Sequence, residues 1–132
     1  EEAIRIYREL VAQNPNSKEL QVSYIKTLID LAQLYQFTWK LDKSIEVSNQ
    51  IRLETEKLPP DEKETQEILV TNLTDLGYSL SWNGQQKEAE TEMAKAVERA
   101  TVLEKNFPND VRSQRVVWRT YTQASAIYET IK

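Results

Sequence analysis

Arg112, Arg115 and Arg119 recur at i, i+3 and i+7, which gives one side of a helix three guanidinium groups. A planar guanidinium makes paired hydrogen bonds to a carboxylate or phosphate, so this basic stripe suits an acidic segment. It equally suits a solvated face, or a face paired with an acidic neighbour. A second cluster, Glu88, Glu90 and Glu92, is spaced at i, i+2 and i+4 and fans over more than one helix face. That spacing predicts a solvent-facing run. It is neither a catalytic pair nor a calcium loop, because no glycine-turned segment brings its oxygens together. The chain has no His and no Cys. That removes the commonest general base at neutral pH, thiol nucleophiles, disulfides and the usual zinc sites. The phosphate-loop, dinucleotide, nucleophile-elbow and zinc-protease motifs are all absent. The sequence therefore predicts no enzyme, no cofactor and no metal.

The elements that would position these residues follow from composition and pattern. At 132 residues the chain is long enough for one domain with a continuous core. Its net charge is -4, whereas a general nucleic-acid binder carries a basic footprint, so no nucleic-acid partner is expected. No stretch approaches the ~18 apolar residues of a membrane helix. The opening Glu1-Glu2 is not the basic start of a signal peptide. A cytoplasmic location without membrane contact is the expectation. The first residue is not Met and falls in mid-pattern, so the sequence reads as an excerpt from a longer protein.

Pro15-Asn16, Pro60-Asp61 and Pro108-Asn109 punctuate the chain at spacings of 45 and 48 residues. Asn and Asp are good helix N-caps, and Glu19 and Glu64 follow theirs by three residues, as in a capping box. Arg112 stands at the third equivalent position. Thirteen residues past each Pro the same stripe returns: Leu28, Leu31, Ala32, Tyr35; then Leu73, Leu76, Gly77, Leu80; then Tyr121, Ala124, Ser125, Tyr128. Leu20 and Tyr24, Thr65 and Leu69, and Ser113 and Val117 extend these stripes backwards on one helix face. Between the striped segments lie partner helices: one with Ala3, Tyr7 and Leu10, one with Ile45, Val47, Ile51 and Leu53, and one with Ala89, Met93 and Ala96. The expected helices are 2–14, 17–38, 42–57, 61–82, 85–106 and 109–130, in a single domain over 1–132. The segment Lys57 to Asp61 is a rigid turn between units.

Gly77 and Gly84, the only glycines, fall inside one pattern that runs Leu73-x2-Leu76-Gly77-x2-Leu80-x3-Gly84-x4-Ala89-x3-Met93-x2-Ala96. Gly77 sits on the apolar stripe, where a missing side chain admits a neighbouring helix, and Asn83-Gly84 ends a helix. In the preceding unit Trp39 stands where this turn glycine belongs, and Ser44 and Ser48 replace the small and large residues of the returning helix. The pattern resembles the tetratricopeptide repeat (TPR). The units here are longer than that family's usual ~34 residues, as in repeats of multidomain bacterial signalling proteins.

The resemblance implies an all-α fold of antiparallel helical hairpins stacked as a right-handed TPR-like α-solenoid. It also implies a scaffold that binds a peptide or helix in a concave groove lined by the first helices of each unit. Carried onto this chain, the groove positions are Lys26, Ile29, Gln33, Gln36 and Phe37; then Thr71, Thr74, Tyr78, Ser81 and Trp82; then Arg119, Thr122, Ala126 and Glu129. Arg112 and Arg115 extend the last set. Phe37, Tyr78 and Trp82 have the character of anchor residues, yet aromatics at helical spacing also serve as core. Asp30 and Asp75 replace the Asn with which some family members clamp a partner's terminal carboxylate, so that mode is not expected. The alternative reading is a regulatory or structural segment that packs on neighbouring domains, or self-associates through open repeat ends.

Overall fold

The structure, a computed structural model, describes residues 1–131, with side chains to residue 128. Among the described residues there are six helices and no strand: α1 (Glu2–Gln13), α2 (Lys18–Phe37), α3 (Leu41–Thr55), α4 (Lys63–Trp82), α5 (Gln86–Asn106) and α6 (Val111–Ile131). Every expected helix is present, with ends displaced by one or two residues.

The displaced starts of α2, α4 and α6 share one cause. Each Pro occupies the second position of a turn, and the Asn or Asp after it is still inside that turn. The turns are closed by Ser17 N–H to the Asn14 carbonyl at 3.0 Å, Glu62 N–H to the Pro59 carbonyl at 3.5 Å and Asp110 N–H to the Phe107 carbonyl at 3.3 Å. The cap therefore falls one residue later than the sequence suggests. Ser17, not Asn16, caps α2, its Oγ accepting from Leu20 N–H at 3.3 Å. Asp110, not Asn109, caps α6, its Oδ1 accepting from Ser113 N–H at 2.9 Å. Glu62, not Asp61, precedes α4 and makes no side-chain cap bond.

Two helix stops match bond for bond. At the end of α4, Gly84 has φ 83°, Gly84 N–H donates to the Ser81 carbonyl and Gln85 N–H to the Leu80 carbonyl. At the end of α2, Trp39 has φ 59°, Trp39 N–H donates to the Gln36 carbonyl and Lys40 N–H to the Tyr35 carbonyl. Both are Schellman stops, in which a left-handed residue lets two N–H groups turn back onto the last carbonyls. Trp39 thus holds, as an L-residue, the conformation that suits glycine.

Each helix packs on the next along the chain, and α4 also meets α2 and α6. By contrast, the backbones of α1 and α3 stay more than 8 Å apart, Cα to Cα, and so do those of α3 and α5. The helices α2, α4 and α6 therefore form a row in which α4 meets both of the others, while the backbones of α1, α3 and α5 lie apart from one another. Ile25, Leu28 and Ala32 of α2 bury themselves against Val47 and Ile51 of α3, Ile4 of α1, Ile68 of α4 and Leu58 of the turn. Fully burying such a side chain contributes about 1.5–3 kcal/mol. Around α4, Val70 packs with Ala100, Leu103 and Val117, and Met93 and Ala96 pack with Ala124 and Ile127.

Gly77 is a point of close approach in the α4–α5 hairpin. A Cβ there would lie 2.9 Å from Met93 Cε, 3.5 Å from Met93 Cβ and 3.6 Å from the Ala89 carbonyl oxygen. In the α2–α3 hairpin Ser44 and Ser48 are fully buried at the corresponding level. Ser44 Oγ donates to the Ala32 carbonyl at 2.9 Å and lies 3.1 Å from Ser79 Oγ, so a polar residue serves there in place of alanine. Two apolar assignments change. Leu53 is exposed, and of the last stripe Tyr121, Ser125 and Tyr128 are exposed, with only the Tyr121 hydroxyl reaching α5, at Thr101 and Glu104.

Candidate functional site

The row α2, α4 and α6 carries the expected groove residues, but its middle is closed by side chains bonding to one another. Asp75, on α4, is 2% exposed. Its Oδ2 accepts from Gln33 Nε2 of α2 at 3.0 Å, and its Oδ1 accepts from Arg119 of α6. Gln36 Nε2 donates to the Asp75 carbonyl at 2.6 Å and to Ser79 Oγ at 2.7 Å. One carboxylate therefore ties three helices together, and Gln33, Gln36 and Arg119 are spent on the fold. Thr74 is likewise interior: it is fully buried, donates to the Val70 carbonyl at 2.8 Å and lies 2.8 Å from Thr120 Oγ1. The α4–α6 contact passes through this position, so Thr74 is not a groove residue. Asp75, already neutralised by Arg119, presents no free charge to a ligand.

The arginine stripe shares one side of α6 but meets three surroundings. Arg119 pairs with Asp75, as above. Arg112 lines a hollow of about 280 Å3 together with Lys26 and Ile29 of α2 and Glu64, Glu67 and Thr71 of α4. Arg115 lies beside Trp118 and Val111 in a separate shallow depression of α6. In the hollow, Lys26 Nζ bonds Glu64 Oε1 at 2.7 Å, which holds the Glu64 carboxyl below its ordinary pKa. Burial raises the pKa of Glu67, despite Lys63 and Arg112 nearby. At the start of α6, Lys63 Nζ bonds Asp110 Oδ2 at 2.7 Å, and with the Ser113 backbone bond this lowers the Asp110 pKa to about 2. Lys26 and Lys63 are thus each matched to a carboxylate, whereas Arg112 and Arg115 form no ion pair among the described residues.

At the other end of the row the surface is apolar and open. Phe37 is 86% exposed, Trp39 61% and Trp82 59%. Trp39 and Trp82 meet edge-to-face, with ring centroids 5.4 Å apart and planes at 78°, and the half-buried Tyr78 ring lies 6.2 Å from Trp82. The aromatics of this face are therefore surface groups and not core. Trp39 joins them from the turn, although the groove pattern had no place for it. The signal was present in the sequence: a tryptophan at the position where the register demands glycine.

Ser81 is buried at the edge of this end, its Oγ 3.3 Å from Gln86 Oε1. Thr122 is exposed and donates to the Trp118 carbonyl at 2.9 Å, and Ala126 is exposed. The Glu129 side chain falls outside the described residues. Glu88 and Glu90 face solvent as expected; Glu92 does not, being partly buried between α5 and α4. Among the described residues no helix is long and apolar enough to cross a membrane. Comparisons of the chain with protein-family models, with curated proteins and with solved structures give no match, so the functional reading rests on this geometry.

Proposed function

We propose that the chain is a protein-interaction scaffold: a right-handed, TPR-like array of helical hairpins whose α2–α4–α6 face docks a peptide or helix from a partner protein. The docking surface is its aromatic end, Phe37, Trp39, Tyr78 and Trp82. The observation that carries the reading is the exposed Trp39–Trp82 contact. Large aromatics with a polar edge are the usual anchors of protein interfaces, and here one of them is held in a left-handed backbone that costs stability. The role is binding and not catalysis, in a cytoplasmic, signalling setting. The ionisable groups of the face support this, because Glu64, Asp75 and Asp110 are each held by a cation of the fold. Peptide display against the folded chain tests it. Selected peptides should lose affinity at least ~10-fold for Trp39→Ala and Trp82→Ala, about 1.4 kcal/mol or more. Peptides that bind the double variant unchanged would refute the aromatic site.

A second reading is favoured by α6, which exposes Val111 and Trp118 on one side and Tyr128 near its described end. The α4 residues at the matching stripe positions are covered by α5. A second copy or a neighbouring domain would cover this face in the structural role. Sedimentation at several concentrations decides: a strict monomer at high concentration removes self-association.

A further inference from the structure

Because the backbones of α3 and α5 stand apart, a cleft of about 530 Å3 opens between them over α4, within the size range of small-ligand sites. No residue of α2 or α6 lines it, and Leu58, Leu69 and Leu73 give it an apolar bed. Asn72, 5% exposed, stands in its wall. Asn72 Nδ2 donates to the Ser48 carbonyl at 3.0 Å. That bond fixes the amide orientation, since the reversed amide would set two oxygens against each other. Asn72 Oδ1 is left without a donor among the described residues. Glu92 lines the same cleft; its Oε1 takes a long 3.4 Å bond from Lys95, and its buried Oε2 has no donor.

Both unpartnered atoms are acceptors, and one belongs to a carboxylate. The rim selects neither sign, because Arg52, Lys95 and Arg99 offset Glu56, Glu92 and Glu98. Exposed rim charges are also screened by solvent, so the buried acceptors decide. We propose that this cleft binds an organic cation: an ammonium or guanidinium head that donates to Asn72 Oδ1 and Glu92 Oε2, on an alkyl stem lying over Leu69 and Leu73. A neutral donor would satisfy the oxygens but add no charge to the long 3.4 Å pairing of Glu92 with Lys95, and an anion would meet two acceptors. The head comes either as a free amine or guanidine, or as the Lys or Arg side chain of a partner. The site is independent of the aromatic surface.

Titration of the folded, isotope-labelled chain, followed by NMR through the Asn72 side-chain amide, tests the proposal. The probes are n-butylguanidinium, n-pentanol and pentanoate. Saturable shifts are expected at Asn72 and around Leu69, Leu73 and Glu92 with the cation. Binding should be at least ~10-fold weaker for pentanol and undetectable for pentanoate. Glu92→Gln should weaken the cation at least ~10-fold, and Trp82→Ala should leave it unchanged. A capped pentapeptide with arginine between leucines separates the sources. Binding tighter than butylguanidinium assigns the head to a partner side chain, and equal or weaker binding assigns it to a free small cation. The proposal is overturned by equal binding of pentanoate, by Glu92→Gln without effect, or by no saturable shift at about 50 mM probe. Should Glu92→Gln fail to fold, the comparison of the three probes on the unaltered chain decides.

Discussion

Substitution at Gly77 sets two effects of similar size against each other. Replacing Gly by Ala inside a helix contributes roughly 1 kcal/mol of propensity. The new Cβ falls 2.9 Å from Met93 Cε, too close, but that atom is the far end of a flexible side chain; the other neighbours, at 3.5 and 3.6 Å, are in ordinary contact. Swinging the Met93 methyl aside in a fully buried site costs about as much as the propensity returns, so Gly77→Ala should lie within about 0.5 kcal/mol of the parent. Gly77→Leu is different. Its outer carbons must pass Met93 Cβ and the Ala89 carbonyl, which cannot swing away. Overpacking of this kind costs roughly 1–3 kcal/mol, or about 3–10 °C in melting temperature for a domain of this size. Removing the obstacle should restore part of the loss: in a cycle with Met93→Ala, the coupling energy should reach about 1 kcal/mol or more. Exposed Glu90 supplies the neutral control. Gln86 does not, because its amide donates to the Ser81 carbonyl at 2.9 Å. Thermal and urea melts of the set measure all of this. Gly77→Leu melting with the parent, or additive behaviour with Met93→Ala, would mean that α4 and α5 do not meet at Gly77, and the register beneath every site assignment would fall with it.

Asp75→Ala leaves Gln33 without an acceptor and Arg119 without its carboxylate, so urea melts should show a loss of about 2–3 kcal/mol. Asp75→Asn, which keeps an acceptor for Gln33, should cost less; equal costs would mean that the acceptor kept for Gln33 does no holding and that the lost charge accounts for the whole effect. Asp110 has its pKa lowered to about 2, chiefly by Lys63 and then by the Ser113 backbone bond. A carboxyl depressed on folding stabilises at pH above its unfolded value and loses that effect as pH falls through the folded one. The stability gap between the parent and Asp110→Asn should therefore be full at pH 7 and shrink between roughly pH 4 and 2; urea midpoints at both ends of that window would show a constant gap if the Lys63 pair were idle. Trp39→Gly relieves a left-handed L-residue, worth about 1 kcal/mol, and loses an edge-to-face contact worth about the same. Its melting temperature should stay near the parent's while affinity for selected peptides drops; a collapse in stability would place Trp39 in the core.

The helices were legible because each rests on local chemistry: a recurrent Pro turn, a period-3.6 stripe and a left-handed stop. Cap positions slipped by one residue because Pro15, Pro60 and Pro108 each start a turn that must close before the helix begins, and a cap motif read from side chains alone does not count that closure. The site was less legible. Groove positions carried over by pattern assume that a polar residue on the inner face points to a ligand. Gln33, Gln36, Thr74 and Arg119 point to each other, and that pairing depends on side chains more than forty residues apart in several cases, such as Gln33 with Asp75. No periodicity within one helix reports such a pairing. Glu92 escaped for a related reason: three glutamates spaced at two look alike in sequence, but one of them falls where α5 turns toward α4.

The uneven lateral contacts of the two rows have a mechanical consequence. Where α2, α4 and α6 are tied by Asp75 and by the Thr74–Thr120 pair, that edge resists stretching. The opposite edge has no such ties: the backbone of α3 stands apart from α1 and α5, and no hydrogen bond joins it to either among the described residues. A strip that is inextensible along one edge and free along the other bends like a hinged fan, opening and closing on its free side. Anything wedged between α3 and α5 would spread the ribs of that fan and change the curvature of the tied edge, without breaking a single bond along it.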